Sequence, residues 1–202
     1  QGKIIGFLMP RIVGASELIQ VYNPSQRQLL KLAIDWSHLH GIAHNFALAV
    51  HNLHEEDYVL GDIKAQNILV NDRGLVSIID TDSFQVRHPL SGKLHHCLVG
   101  SPDYTPPELL GKDFSKTEQT RAHDRFRLGV IFYQLLFGVH PFADGKWLGN
   151  DDPPELRECL RRGLWPYGGD ANRKPRRYTI PLDGVHPSLK ALFLACFNDG
   201  PR

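Results

Sequence analysis

Residues 60–80 constrain the fold of this chain more than any other stretch. Leu60-Gly61-Asp62-Ile63-Lys64-Ala65-Gln66-Asn67 leads into the apolar run Ile68-Leu69-Val70, a polar turn at Asn71-Asp72-Arg73-Gly74, and Val76-Ser77-Ile78-Ile79 closed by Asp80. Two short apolar runs joined by a Gly-containing turn read as a β-hairpin. Such a hairpin holds Asp62, Lys64, Asn67 and Asp80 near one another. Together they supply a carboxylate able to orient a hydroxyl, a cation, and two oxygen ligands of the hard kind that magnesium prefers. Turn and strand-end chemistry accounts for each residue singly but not for all of them in this register.

The remaining composition narrows the class. The chain's 202 residues can bury a full core, and 42% hydrophobic with 22% charged residues is ordinary for a soluble globular protein. A net charge of +1 gives no general attraction to nucleic acid or an anionic membrane, so neither is expected as a direct partner. No apolar stretch approaches the roughly 20 residues that span a bilayer, and Ile4–Met9 is too short for a signal-peptide core. Cys97, Cys159 and Cys196 are odd in number and far apart, which argues against a disulfide framework and for a reduced, cytoplasmic protein. His38, His40, His44, His51 and His54 cluster; His40 and His44 would share a helix face, as in a zinc pair. No Cys or carboxylate completes a ligand set, so this cluster reads as a polar helix face, and His95-His96 gets the same reading.

Along the chain, residues 3–9 read as a buried strand stopped by Pro10. Asn23-Pro24 with Gln26 reads as a helix start, and Asp35 as the cap of a second helix carrying Trp36, Leu39, Ala43, Phe46, Ala47, Val50 and Leu53 on one face. Residues 81–107 show no lasting period and read as a long ordered loop, a length usually reserved for function. From Arg125 to Phe137 the chain is apolar on nearly every face, the mark of a buried central helix, ended by Gly138 and kept from resuming by Pro141. Residues 143–181 read as loop-rich with one short helix near Pro154–Arg162. A last amphipathic helix opens at Pro187-Ser188 and runs through Leu189, Leu192, Phe193 and Cys196. Little after residue 9 reads as sheet beyond the hairpin, so the fold is expected to be mostly α.

These segments also resemble a known family. The spacing D-x-K-x-x-N with a strand-closing aspartate resembles the catalytic loop and metal-binding segment of eukaryotic-like protein kinases. Four more segments fall in kinase order. Phe7-Leu8-Met9-Pro10-Arg11-Ile12 resembles the last N-lobe strand and hinge, and Gly100–Glu108 the end of an activation segment. Asp124–Val130 resembles the start of the buried central helix, and Gly138–Phe142 the turn after it. The resemblance implies a kinase C-lobe over residues 15–202, preceded by strand and hinge at 1–14. The N-lobe and the end of the C-lobe would lie outside the chain, and the parent fold is α+β. The run IDTDSFQ with TPPEL resembles a bacterial kinase group often joined to helix-hairpin-helix or other accessory domains.

Departures from the pattern carry information. The usual His-Arg before the catalytic aspartate is Leu60-Gly61, so no arginine of the loop would hold an activation-loop phosphate, and switching by loop phosphorylation is not expected. The Asp-Phe-Gly triplet is Asp80-Thr81-Asp82, which keeps the metal ligand and loses the apolar Phe and flexible Gly.

The resemblance implies roles for individual residues. Asp62 would accept or orient the substrate hydroxyl proton, and Lys64 would neutralise the transferring phosphoryl group. Asn67 and Asp80 would bind Mg2+, with Asp82 beside them as a solvated or backbone-bonded side chain. Ser101 would place its hydroxyl against the catalytic aspartate and lysine. Met9, Pro10, Ile12 and Leu69 would line the adenine pocket for ATP. Asp124 would bond the catalytic-loop backbone, and Glu108 would need a partner this chain lacks.

The function implied is transfer of the γ-phosphoryl group of ATP to Ser/Thr hydroxyls of protein substrates, with the fragment alone inactive. A pseudokinase-like ATP-binding or scaffold module is the alternative, and a small-molecule kinase is third. Accessory domains, a phosphatase partner, and self-association through the apolar cleft around Met9, Ile12, Leu69 and Ile79 are the partners implied.

Overall fold

Caps and a glycine stop set the helix boundaries. The computed structural model describes residues 11–177 and 179–198. In chain order these residues form β1 (Ala15–Glu17), α1 (Leu18–Tyr22), α2 (Pro24–Leu29), α3 (Trp36–Glu55), β2 (Ile68–Asn71), β3 (Val76–Ile78), β4 (Val86–Arg87) and β5 (Leu94–His95). They continue with α4 (Arg121–Phe137), β6 (Lys146–Trp147), α5 (Leu156–Arg162), β7 (Arg173–Lys174) and α6 (Pro187–Asn198). The architecture is mostly helical, with small sheets at the edges.

Asn23 caps α2 through its side chain, which accepts from the Gln26 N–H at 3.1 Å, with Pro24 at the first helical position. Asp35 caps α3 in the same way, its Oδ1 accepting from the His38 N–H at 2.9 Å. Leu39, Ile42, Phe46 and Val50 then form the buried stripe of α3. Trp36, read from the sequence as part of that stripe, stays 39% exposed at the rim, where its indole N–H donates to the Leu136 carbonyl at 3.3 Å.

Helix α4 starts four residues before its apolar run, its first turn tied by the Thr120 N–H donating to His123 Nδ1 at 2.9 Å. Phe126, Val130, Ile131, Leu135 and Leu136 are buried along it, each burial worth about 1.5–3 kcal/mol. Gly138 ends the helix in the left-handed region at φ 74°, where its N–H reaches the Gln134 carbonyl. Helices α3 and α6 pack against α4. On α6 the buried residues are Phe193 and Phe197, whereas Leu192, expected inside, is 66% exposed.

The hairpin is present: β2 and β3 pair antiparallel, with Ile68 opposite Ile78 and Val70 opposite Val76. Asn71 Oδ1 closes the turn by accepting from the Arg73 and Leu75 N–H groups at 3.0 and 2.9 Å. Three features differ from the sequence reading. β1 pairs with the other edge of β2, making a three-stranded sheet. Residues 81–107 contain the β4–β5 ladder and short 3₁₀ turns, and residues 143–181 contain β6–β7 beside the expected α5. No helix among the described residues is long and apolar enough to cross a membrane.

Candidate active site

The loop from Leu60 to Asn67 is held from beneath by α4. The Asp124 carboxylate, fully buried, accepts from the Leu60 N–H at 2.8 Å and the Gly61 N–H at 3.0 Å. His54, at the end of α3, lies 3.0 Å away through Nε2. A carboxylate that accepts several N–H bonds is the strong, charge-assisted form of this interaction. It fixes the backbone immediately before Asp62.

Asp62 is 6% exposed and engaged on both oxygens. Lys64 Nζ lies 2.6 Å from Oδ2, and the Ser101 backbone N–H donates to Oδ1 at 2.7 Å. The sequence reading placed the Ser101 hydroxyl at this contact; the structure brings the backbone amide instead. Thr105 Oγ1 in turn donates to the Ser101 carbonyl at 2.8 Å. A carboxylate fixed this way still has lone pairs for an incoming hydroxyl, and the lysine beside it adds positive charge at the same point.

Asn67 stands between Asp62 and Asp80. Its Nδ2 donates to the Asp62 carbonyl at 3.3 Å and to Asp80 Oδ2 at 3.4 Å, which leaves Oδ1 as the acceptor for a cation. Asp80 follows β3 in the left-handed region at φ 66°, an uncommon conformation that Asp tolerates better than most residues and that recurs at functional sites. The neighbouring Ile79 N–H bonds the Asn67 carbonyl at 2.9 Å, and Ser83 Oγ donates to the Asp80 carbonyl at 2.9 Å. Two hard oxygen donors side by side, one a solvent-facing carboxylate, fit magnesium. No group of three His, Cys, Asp or Glu gathers to hold a metal among the described residues, so phosphate and water oxygens would have to complete the shell. Asp82 is exposed in the 3₁₀ turn that follows.

Phe84 makes good the apolar residue missing after Asp80. It is half-buried against the core and lines a small cavity together with Phe46, Leu60, Asp62, Asn67 and Asp80. Of the adenine-pocket candidates, Leu69 is half-buried on β2 and Ile12 is 42% exposed; Met9 and Pro10 lie outside the described residues. Glu108 Oε1 is buried without a hydrogen bond, and His123 Nε2 sits 3.4 Å from it. Burial pushes the Glu108 carboxyl up. Burial first and the Arg127 charge second push the His123 imidazole down.

A cavity of about 1150 Å³ lies elsewhere, between β6, β7 and the start of α5, and shares no residue with the Asp62 cluster. The sequence reading missed four buried polar residues at the site: His54, Gln85, Gln119 and Arg127. Arg127 left a signal, as a charge inside an otherwise apolar helical run.

The family model described as "protein kinase domain" matches residues 12–180. The chain is 33% identical over 203 residues to "Protein kinase YegI" of Escherichia coli strain K12, a match covering 98% of this chain and 31% of that protein. It is 37% identical over 126 residues to human "Serine/threonine-protein kinase MRCK gamma", covering 54% of this chain and 8% of that protein. It is 36% identical over 101 residues to "Citron rho-interacting kinase" of Rattus norvegicus, covering 48% and 5%. The chain spans about a third of the length of the bacterial relatives it matches.

Proposed function

This chain belongs to the protein kinase family, and from that premise we propose that the full-length protein transfers the γ-phosphoryl group of ATP to serine and threonine hydroxyls of protein substrates. The observation that carries the proposal is the convergence of Asp62, Lys64, Asn67 and Asp80, with Lys64 2.6 Å from Asp62 and Asn67 bonded to both aspartates. Asp62 takes the hydroxyl proton and aims the oxygen at phosphorus. Lys64 holds Asp62 in place and offsets negative charge on the moving phosphoryl group. Asn67 Oδ1 and the Asp80 carboxylate would hold Mg2+, which neutralises and orients the phosphates when bound. The Ser101 amide fixes Asp62 from the opposite side. Most of the catalysis in this arrangement is positioning and preorganised charge. The serine/threonine preference draws support from the name of human MRCK gamma, 37% identical over the part that matches.

Residues 15–202 are proposed as the helical lobe and 1–14 as the strand and hinge beside the nucleotide. No glycine-rich loop or strand lysine of the kind that cradles the phosphates is present in these 202 residues. Residues 1–202 alone should therefore fold, bind ATP weakly and transfer no phosphate.

The test is phosphate transfer from γ-labelled ATP by the full-length protein, followed by identification of the labelled amino acid. Magnesium-dependent phosphoserine and phosphothreonine are expected, with label lost in Asp80→Asn. ATP binding with no transfer would replace this reading with a scaffold role, and label on tyrosine alone would overturn the specificity.

A further inference from the structure

A ring of buried polar groups beneath the Asp62 loop is not used by the roles above. Arg127, on α4, is 1% exposed; its Nη2 donates to Gln119 Oε1 at 2.6 Å, and its Nη1 lies 3.6 Å from Asp124 Oδ1. Gln119 and Gln85 exchange two bonds: the Gln119 N–H donates to Gln85 Oε1 at 2.9 Å, and Gln85 Nε2 donates to the Gln119 carbonyl at 2.7 Å. The Gln85 backbone then pairs with Val59 in both directions, at 2.8 and 3.1 Å. Val59 runs into Leu60 and Gly61, whose amides Asp124 holds, so the path closes on the loop that carries Asp62.

A sealed guanidinium needs a reason. Removing an ion from water costs several kcal/mol, and a hydrocarbon of similar volume often packs as well or better. Arg127 nevertheless sits here with its Nη1 without a hydrogen bond, 3.6 Å from Asp124 Oδ1 and with the Asp62 and Glu108 charges nearby. The surroundings of Gly61 are the second observation. Its φ is 76°, and a Cβ there would lie 2.5 Å from Cys97 Sγ and 3.4 Å from Gln119 Nε2. No side chain can leave the loop at this point, because Cys97 of the following segment and Gln119 fill the space. Positive charge reaches the region from α4 below.

We propose that Arg127 is a positioning residue for phosphoryl transfer: a built-in cation that, through Gln119 and Gln85, pins residues 81–105 to the Asp62 loop without a phosphate. The inference rests on the reading of Asp62 as the carboxylate that receives the hydroxyl proton. The pinned segment also carries the Ser101 N–H that bonds Asp62, so a loosened segment takes that contact away.

The full-length protein provides two independent readouts, phosphoryl transfer and amide hydrogen exchange. Arg127→Met, which removes the charge and keeps the bulk, should lower kcat about 30-fold or more while the KM for ATP changes less than about threefold. Exchange at Val59, Gln85 and Ser101 should speed up about tenfold or more, while Phe46 and Val50 in α3 stay protected. Arg127→Lys, which still offers a cation to Gln119 Oε1, should recover kcat to within about tenfold of the parent. Exchange that accelerates everywhere, with no recovery in the lysine variant, would mark a general packing role and overturn the proposal.

Should Arg127→Met fail to fold, Gln119→Leu decides, since it cuts the guanidinium bond and keeps the Gln119 backbone bonded to Gln85. About tenfold lower kcat with the same local exchange is expected, and no change in either overturns the proposal. Phosphatase treatment of the parent should leave kcat within about twofold, because the expected clamp needs no added charge; a larger loss would show that a phosphate sets the segment and would overturn it. Full activity in Asp62→Asn beside a loosened segment in Arg127→Met would sink the functional reading and leave the clamp standing.

Discussion

The two ends of α4 are built on opposite principles. Its C-terminal half packs into an aromatic cluster: the Tyr133 ring stacks on Phe137 at 4.3 Å and meets Phe193 edge-on at 5.6 Å, while Phe197 packs against Trp165 at 5.0 Å and Phe142 at 5.4 Å. Such contacts add large apolar area and well-placed ring geometry, which is stability. The N-terminal half buries Asp124 and Arg127, ions that are poor sources of stability. What those ions do well is fix backbone: the amides of Leu60 and Gly61, and through Gln119 and Gln85 the segment that crosses the site. One helix thus anchors the fold with its aromatic end and, in the proposed function, aims the groups around Asp62 with its polar end.

That contrast breaks or sharpens under substitution. Phe197→Ala should cost the most stability, about 3–5 kcal/mol, because a buried ring leaves a cavity among aromatic neighbours. Chemical denaturation measures the loss, and kcat per folded molecule should not move; an equal fall in both would erase the distinction between the ends. Asp124→Asn should cost less stability, about 2–3 kcal/mol, since one oxygen acceptor is lost and Arg127 loses its counter-charge. Its kcat should nevertheless fall about 100-fold, as the Asp62 backbone loses its support.

The aromatic end also has its own pH response. Burial pushes the His140 imidazole down to about 4, and the ring is neutral: Nε2–H donates to the Asp103 carbonyl at 2.8 Å while Nδ1 accepts from the Phe142 N–H. The unfolded imidazole protonates near its ordinary 6.5 and the folded one only near 4, so the unfolded state binds more protons between these values. Stability from this group is present above pH 6.5 and is lost as pH falls toward 4, on the order of 1–2 kcal/mol after allowance for its partial exposure. Thermal unfolding of His140→Asn should lack that component. The smallest effect expected is Tyr133→Phe. Burial and the Asp144 charge push this hydroxyl up, so it remains a donor, at 3.0 Å from Asp144 Oδ2. Its removal should cost about 1 kcal/mol with no change in kcat.

The same division explains what could be read from the chain alone. Apolar periodicity and caps exposed α3, the hairpin and the Gly138 stop, because burial of hydrocarbon leaves a regular pattern. The polar end left less. The resemblance marked Asp124 as a bond to the catalytic-loop backbone, and Arg127 stood out as a charge in an apolar run. Arg121-Ala122-His123 lie outside that run, so α4 seemed to begin near Arg125. Gln85, Gln119 and His54 look like surface residues until tertiary contacts enclose them. Strands of two or three residues, such as β1, β4 and β7, are too short to show alternation. Within the candidate site, the spacing of Asp62, Lys64, Asn67 and Asp80 was legible. The Ser101 amide contact was not, since a backbone donor has no residue type to announce it.

The most direct measurement of the central claim is single-turnover phosphate transfer by the full-length protein carrying Asp62→Asn. This change keeps the shape and the Ser101 contact but removes the proton acceptor. The expected result is a rate about 1000-fold below the parent, with ATP affinity and unfolding temperature nearly unchanged. A parent-like rate from that variant would contradict the account, because the convergence around Asp62 would then be structure without chemistry.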